Sequence, residues 1–269
     1  MDSNSEWPKA GPETVSLAVG QQLPGPKDPS ADPPWSGWDV TRIGLLLFVL
    51  PFLVIPFVAL AAKKIFYPGL PWLTVAQKPW IALTTQFFWY AAVAVYMIMF
   101  VEGTFHRRFW EAIHWNWPRR TWALLVPIGM VMVSLQGLEH FFKIPKHIPM
   151  EEFLATPLAA AMTAILAVTL GPLMEELFFR GFLYPVLARR FGVTAGVVAT
   201  AVGFGLIHGA QLAFAWGLVL IIFLVGVVLT IVRAKTNSVG SSFVVHVAYN
   251  STIVTMGLIA ARHGDKVVK

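Results

Sequence analysis

The chain has 269 residues, of which 57% are hydrophobic and 13% are charged, and its formal net charge is +6. A soluble domain usually carries about 25% charged residues, so the composition predicts a membrane protein. The lysines and arginines lie in short loops between apolar runs, which is typical of topology determinants. We therefore expect the lipid bilayer as a partner and no nucleic acid. Cysteine is absent, which excludes disulfides, thiolate metal sites, thiol nucleophiles and lipidation on cysteine.

Residues 1–38 form a polar segment rich in Pro, Gly, Ser and Asp. Such a segment cannot bury enough apolar surface to fold alone, so we predict a disordered tail. Trp35 and Trp38 at its end are predicted to mark the membrane interface, where tryptophan is enriched.

Apolar runs long enough to cross a bilayer follow the tail. The predicted spans cover residues 43–62, 80–101, 122–142, 156–188, 193–209, 212–232 and 239–261. As a helix, the run 156–188 would be about 50 Å long, whereas the hydrocarbon core is about 30 Å thick. This run is therefore predicted to be one long tilted helix, or two pieces broken near Gly171 and Pro172.

The sequence thus predicts an all-α fold, a polytopic transmembrane bundle of seven or eight spans. We predict an integral, multi-pass protein of the bacterial inner membrane, and the positions of Lys and Arg favour a cytoplasmic N-terminal tail.

Three polar islands interrupt the apolar runs of the second half. They are EELFFR at 175–180, FGLIH at 204–208 and HVAYN at 246–250. A charged side chain at bilayer depth costs roughly 2.5–3.5 kcal/mol, so such residues are retained mostly where they pair or take part in chemistry.

Helical spacing predicts which of these side chains cooperate. Residues four apart share one face of a helix. This spacing pairs Glu176 with Arg180 and His246 with Asn250, and it lets the Phe204 ring pack beneath His208. Counted along straight helices, Glu175 and His208 lie roughly 21–23 Å from one interface and His246 roughly 16 Å. We therefore expect the carboxylate, the imidazoles and the amide to converge.

These groups suit hydrolysis of an amide bond. Glu175 would take a proton from water and His208 would hold that water. His246 and Asn250 would supply donors to the oxyanion, which are worth about 2.7–4 kcal/mol each. Glu176 and Arg180 would support the site, or form only a structural ion pair. Asn250 alone would join helices for about 0.6 kcal/mol.

A divalent metal, zinc above all, is the alternative. Glu175, His208 and His246 are the donor types of a catalytic zinc shell with an open fourth position. The compact HExxH signature is missing, and the sequence leaves both mechanisms open.

In this order, EExxxR, FxxxH and HxxxN resemble the CPBP family of intramembrane proteases, which includes the Ras-converting CAAX endopeptidases. The resemblance covers about 158–259. It implies a membrane-embedded peptidase that acts on a membrane-associated protein or peptide. Glu175 resembles the family's water-activating glutamate and His208 its partner, His246 and Asn250 its oxyanion pair, and Glu176 and Arg180 its supporting pair.

The resemblance divides the chain into N-terminal membrane spans over 39–150 and a catalytic membrane domain over 151–263. The competing hypothesis is a non-catalytic membrane protein, either an immunity scaffold or a proton-coupled carrier that uses the same charges. A carrier is expected to contain internal repeats, and none is visible in the sequence. We therefore predict an intramembrane endopeptidase that is either glutamate-dependent or metal-dependent.

Overall fold

The computed structural model of the protein describes residues 32–142 and 156–267. Residues 1–31, most of the predicted tail, lie outside this range. Over the described residues the fold is all-helical and contains no strand, as the sequence predicts. In chain order the helices are α1 (Gly37–Phe66), α2 (Trp72–Ala76), α3 (Pro79–Phe105), α4 (Phe109–Ala112), α5 (Arg120–Gln136), α6 (Pro157–Val168), α7 (Leu170–Glu175), a π-helix (Glu176–Leu183), α8 (Tyr184–Phe191), α9 (Val193–Ile207), α10 (Trp216–Thr236) and α11 (Val239–Val267). Single 3₁₀ turns cover Gly137–Phe141 and Ala210–Leu212.

Five segments of the described residues are long and apolar enough to cross a membrane. They are Gly37–Phe66, Pro79–Phe105, Thr121–Phe141, Pro157–Phe191 and Trp216–Thr236. The predicted total of seven or eight spans is therefore not confirmed. The two other predicted spans, 193–209 and 239–261, correspond to α9 and α11, which are not among these five segments. The 15 residues of α9 rise only about 22 Å. In α11, the apolar sequence is interrupted by serines, His246 and Asn250.

The start of α1 is fixed by a capping box. The Ser36 side chain accepts a hydrogen bond from the Asp39 N–H, and the Asp39 carboxylate accepts one from the Ser36 N–H. This arrangement satisfies backbone donors that the first helical turn leaves without partners. Trp38 is exposed, in keeping with an interfacial position, whereas Trp35 is buried. The Trp35 ring stacks on Phe182 with centroids 4.5 Å apart.

The long apolar run of the second half breaks at Thr169, which has φ −116° and ψ −81°. The break lies three residues before Pro172, close to the predicted position. Proline has no N–H to donate to the carbonyl four residues earlier, and its ring crowds that carbonyl. After α7 the chain continues as a π-helix, in which the Tyr184 N–H donates to the Phe179 carbonyl five residues back. Such π-helical turns are rare and frequently lie at functional sites.

Helices α9 and α10 pack closely because each has a glycine at the crossing. A Cβ atom on Gly226 would lie 3.0 Å from Cδ1 of Phe204, and one on Gly205 would lie 3.2 Å from Cβ of Phe223. This close approach holds Phe204, which is buried, against the polar residues of the π-helix.

Candidate active site

Glu176 and Arg180 form a fully buried ion pair in the π-helix. Nη1 of Arg180 donates to Oε1 of Glu176 at 2.9 Å, and both side chains are 0% exposed. The other guanidinium nitrogens bind α10, since Nε donates to Oγ1 of Thr230 at 3.3 Å and Nη2 donates to the Gly226 carbonyl at 3.0 Å. Every nitrogen of the guanidinium is thus engaged, and the pair holds the π-helix against α10.

His246 of α11 joins this pair. Its Nδ1 lies 2.9 Å from Oε1 of Glu176, so one carboxylate oxygen meets both the imidazole and the guanidinium. A carboxylate accepts hydrogen bonds, which assigns the proton to Nδ1 of His246. Nε2 is then directed at the neighbouring acid and lies 3.6 Å from Oε2 of Glu175.

His208 follows directly after the last residue of α9. Its Nδ1 lies 2.8 Å from the Phe204 carbonyl, one of the groups that the end of the helix leaves without a backbone donor. This contact assigns the proton to Nδ1, and Nε2 lies 3.7 Å from Oε1 of Glu175. The predicted packing of Phe204 against His208 is present, with ring centroids 5.0 Å apart. Phe204 also lies 4.5 Å below the guanidinium carbon of Arg180 and edge-on to His246 at 5.8 Å.

Glu175, the last residue of α7, therefore stands between two imidazoles, and each of its oxygens faces one Nε2 atom. Its side chain is 20% exposed, whereas the adjacent Glu176 side chain is 0% exposed. The two neighbouring carboxylates thus differ in access. Glu175 is partly accessible from outside the fold, while Glu176 is enclosed by Arg180 and His246.

Asn250, also on α11, binds the backbone of α6. Its Nδ2 donates to the Ala167 carbonyl at 2.7 Å, next to the helix break at Thr169. The bond ties α11 to the end of α6, and it uses one of the two N–H groups of the amide. The structure thus brings Glu175, His208 and His246 together around one point and holds Asn250 beside the break.

The donor types at this point are those of zinc, which binds His nitrogen and carboxylate oxygen at about 2.0–2.2 Å. Within residues 32–142 and 156–267, however, no group of three or more His, Cys, Asp or Glu side chains is arranged to hold a metal ion. We therefore derive no step through a metal.

The sequence did not single out Thr230 and Gly226, which bind Arg180. A threonine and a glycine in an apolar helix have many ordinary explanations, so nothing in their local pattern marks them. Tyr90 of α3, which interacts electrostatically with Glu175, was missed for the same reason.

Residues 157–252 match the family model described as type II CAAX prenyl endopeptidase, Rce1-like. The match covers about a third of the chain and contains all three motifs. Residues 157–252 thus form a domain of the CAAX protease (CPBP) family. The resemblance inferred from the three motifs is thereby confirmed, over nearly the predicted range. In general terms this domain supports an intramembrane endopeptidase, an integral multi-pass protein that acts on membrane-associated substrates. No curated protein and no solved structure gives a significant match to the chain.

Proposed function

We propose that this CAAX protease hydrolyses a peptide bond of a membrane-associated protein or peptide with water activated by Glu175. One observation carries the proposal. The Glu175 carboxylate is the partly exposed acid of the site and lies 3.7 Å from Nε2 of His208 and 3.6 Å from Nε2 of His246. Both rings are held by hydrogen bonds from their Nδ1 atoms, so their reactive nitrogens are oriented before a substrate arrives.

The charge balance defines the resting state. Glu175 and Glu176 contribute two negative charges, and Arg180 contributes one positive charge. Net charge inside a membrane protein is costly, so we infer one additional proton within the cluster. His246 is the best position for it, because an imidazolium there donates from Nδ1 to Glu176 and presents Nε2–H to the reaction centre.

In the first step, a water molecule held by His208 gives a proton to Glu175 while its oxygen adds to the substrate carbonyl carbon. The carbonyl oxygen becomes an oxyanion, which accepts a hydrogen bond from Nε2–H of His246. The second N–H of Asn250 is a further candidate donor to this oxyanion. In the second step, the C–N bond breaks and Glu175 returns the proton to the leaving nitrogen. The products are a carboxylic acid and an amine.

Glu176 and Arg180 act on the reaction indirectly in this scheme. They are 0% exposed and therefore do not touch the substrate, but they orient His246 through the hydrogen bond at its Nδ1. Such supporting bonds fix the tautomer and direction of a reactive imidazole.

The test is Glu175→Gln, which keeps the size of the side chain and removes the base. Membrane proteins are isolated from cells that carry the wild type, Glu175→Gln or the control Glu111→Gln, and their new termini are compared. Glu111 is exposed on α4. We expect termini that depend on the wild type to disappear with Glu175→Gln and to persist with Glu111→Gln.

Retention of every such terminus by Glu175→Gln, at equal protein level, would refute the proposal. The non-catalytic alternative, a scaffold or a proton-coupled carrier, would then take its place.

A further inference from the structure

A cavity of about 380 Å³ lies near the ends of α8 and α10, apart from the candidate active site. Among its lining residues are Asp32, His114, Tyr184, Arg189, Arg233 and Asn237. Neither Glu175 nor either of the two imidazoles beside it lines this cavity. Its walls are therefore a second polar region, which the proposed hydrolysis does not use.

Arg233 is a buried cation of this cavity without an adjacent counter-charge. The residue is only 4% exposed. Nε donates to the Arg180 carbonyl at 3.2 Å and Nη1 donates to Oδ1 of Asn237 at 2.7 Å. Both acceptors are neutral. A buried charge is costly unless it is paired, so an anion beside Arg233 would remove this cost.

The described part of the chain provides no such anion at ion-pair distance from Arg233. Asp32 is the acid that lines the cavity, and it influences Arg233 electrostatically, but its carboxylate is bound to His114, with Nε2 at 3.0 Å. Nη2 of Arg233 has no hydrogen-bond partner among residues 32–142 and 156–267. It therefore remains available to a ligand.

Two neutral donors accompany Arg233. The Tyr184 hydroxyl has no hydrogen-bond partner within the described ranges, and its ring centre lies 5.9 Å from the guanidinium carbon of Arg233. Asn237 accepts from Arg233 through Oδ1, which leaves its Nδ2 as a donor. Arg189 donates to the carbonyls of Pro33 at 2.5 Å and Trp35 at 3.1 Å and adds positive charge to the rim. A planar guanidinium with neighbouring donors suits the oxygens of a phosphate.

The cavity also adjoins the basic ends of two candidate membrane spans. Arg189 and Arg190 are in the last turn of α8, and Arg233 and Lys235 are in the last turn of α10. Basic residues at the ends of spans mark the membrane interface, and basic pockets between helices at this level bind the headgroups of anionic lipids.

We propose that this cavity binds a phosphate group, with Arg233 as its buried cation. The phosphate is that of an anionic phospholipid headgroup or a free phosphate ion. Since Nε of Arg233 also holds the carbonyl of Arg180 in the π-helix, the bound anion stabilises the membrane domain, and its binding raises the melting temperature.

The experiment uses the full chain, purified in a neutral detergent, with unfolding followed by tryptophan fluorescence at constant ionic strength. The probes are short-chain phosphatidylglycerol, short-chain phosphatidylcholine and inorganic phosphate. We expect a saturable rise in melting temperature with phosphatidylglycerol and none with phosphatidylcholine, whose choline cation masks the phosphate charge. An equal saturable rise with inorganic phosphate would assign the site to free phosphate.

The variants locate the effect. Arg233→Gln is expected to raise the half-saturating concentration of phosphatidylglycerol about tenfold to a hundredfold, the effect of losing a hydrogen bond to a charged group. Arg190→Gln is the matched control, because Arg190 is exposed and does not line the cavity. It is expected to bind like the wild type. If Arg233→Gln does not fold, Tyr184→Phe decides, with an expected weakening of about fivefold.

Three results would overturn the proposal. The first is a wild type that shows no saturable response to either phosphatidylglycerol or inorganic phosphate. The second is an equal response to phosphatidylcholine, which would indicate binding of acyl chains. The third is an equal loss with Arg190→Gln, which would indicate diffuse surface charge.

Discussion

Replacing Glu176 by glutamine is expected to lower the free energy of unfolding by about 3–5 kcal/mol, the usual result of removing one partner of a buried ion pair. Oε1 of Glu176 lies 2.9 Å from Nη1 of Arg180 and 2.9 Å from Nδ1 of His246. All three side chains are almost fully buried. The glutamine amide has no charge, so the guanidinium would stay in the interior without its adjacent counter-charge.

The same substitution at Glu175 is expected to have a small effect on stability. Glu175 is 20% exposed, and its distances of 3.6 and 3.7 Å to the imidazoles exceed the hydrogen-bond range. We expect a change of about 1 kcal/mol or less, as for partly exposed ion pairs. Substitutions at these two neighbouring glutamates are thus expected to affect different properties, stability at one and catalysis at the other. Glu176→Gln destabilises the protein, and Glu175→Gln inactivates a protein that remains folded.

The assay is unfolding of the purified protein in mixed micelles of rising denaturing-detergent content, followed by tryptophan fluorescence. Arg180→Met and the double variant Glu176→Gln/Arg180→Met complete a double-mutant cycle. We expect the double variant to lose less stability than the two single variants together, because it removes both charges.

The reasoning would be refuted if Glu176→Gln unfolded at the wild-type denaturant concentration while Glu175→Gln was strongly destabilised. In that case the structural and the reactive carboxylate would have been assigned in the wrong order. Strictly additive losses in the cycle would show that Glu176 and Arg180 are not coupled.

Four further outcomes are expected. Asn250→Ala is expected to lower the free energy of unfolding by about 0.6 kcal/mol. Because its amide is a candidate donor to the oxyanion, the variant is also expected to lower kcat about 10²-fold or more. A fall in kcat no larger than the fall in the amount of folded protein would show that Asn250 is purely structural. Gly196→Val should destabilise by about 1–3 kcal/mol, because a Cβ there would lie 2.8 Å from the backbone of α8. Gly103→Ala, in open space, is its control, and equal melting temperatures of the two variants would contradict this packing. Trp35→Phe should lower stability by about 1 kcal/mol, because it keeps the ring stack and removes the indole N–H that binds the carbonyl of Phe182; an unchanged melting temperature would contradict this. Treatment with a strong zinc chelator should leave processing unchanged, whereas loss that is restored by zinc would favour the metal alternative.

Helical periodicity predicted some of the site and not the rest. The spacing of four residues pairs Glu176 with Arg180 and Phe204 with His208, and both contacts are present. In α11, His246 and Asn250 share this spacing but have different hydrogen-bond partners. They bind Glu176 and Ala167 respectively. Residues four apart are separated by about 6 Å along the helix axis, so the neighbours of that helix decide which partner each one meets.

The membrane-protein class, the all-helical fold and the family follow from the sequence alone, because apolar composition and the order of local motifs do not depend on long-range contacts. The number of spans did not follow, since an apolar run of 15 residues does not specify by itself whether it crosses the bilayer.

The tertiary structure decided which of two adjacent glutamates is buried and which is partly exposed. It also determined the contact of Trp35 with Phe182, 147 residues away, and the cavity beside Arg233. These features depend on contacts between helices that are distant in the chain. The exposure of a side chain is a property of its surroundings, and identical residues at neighbouring positions acquire different chemistry through packing.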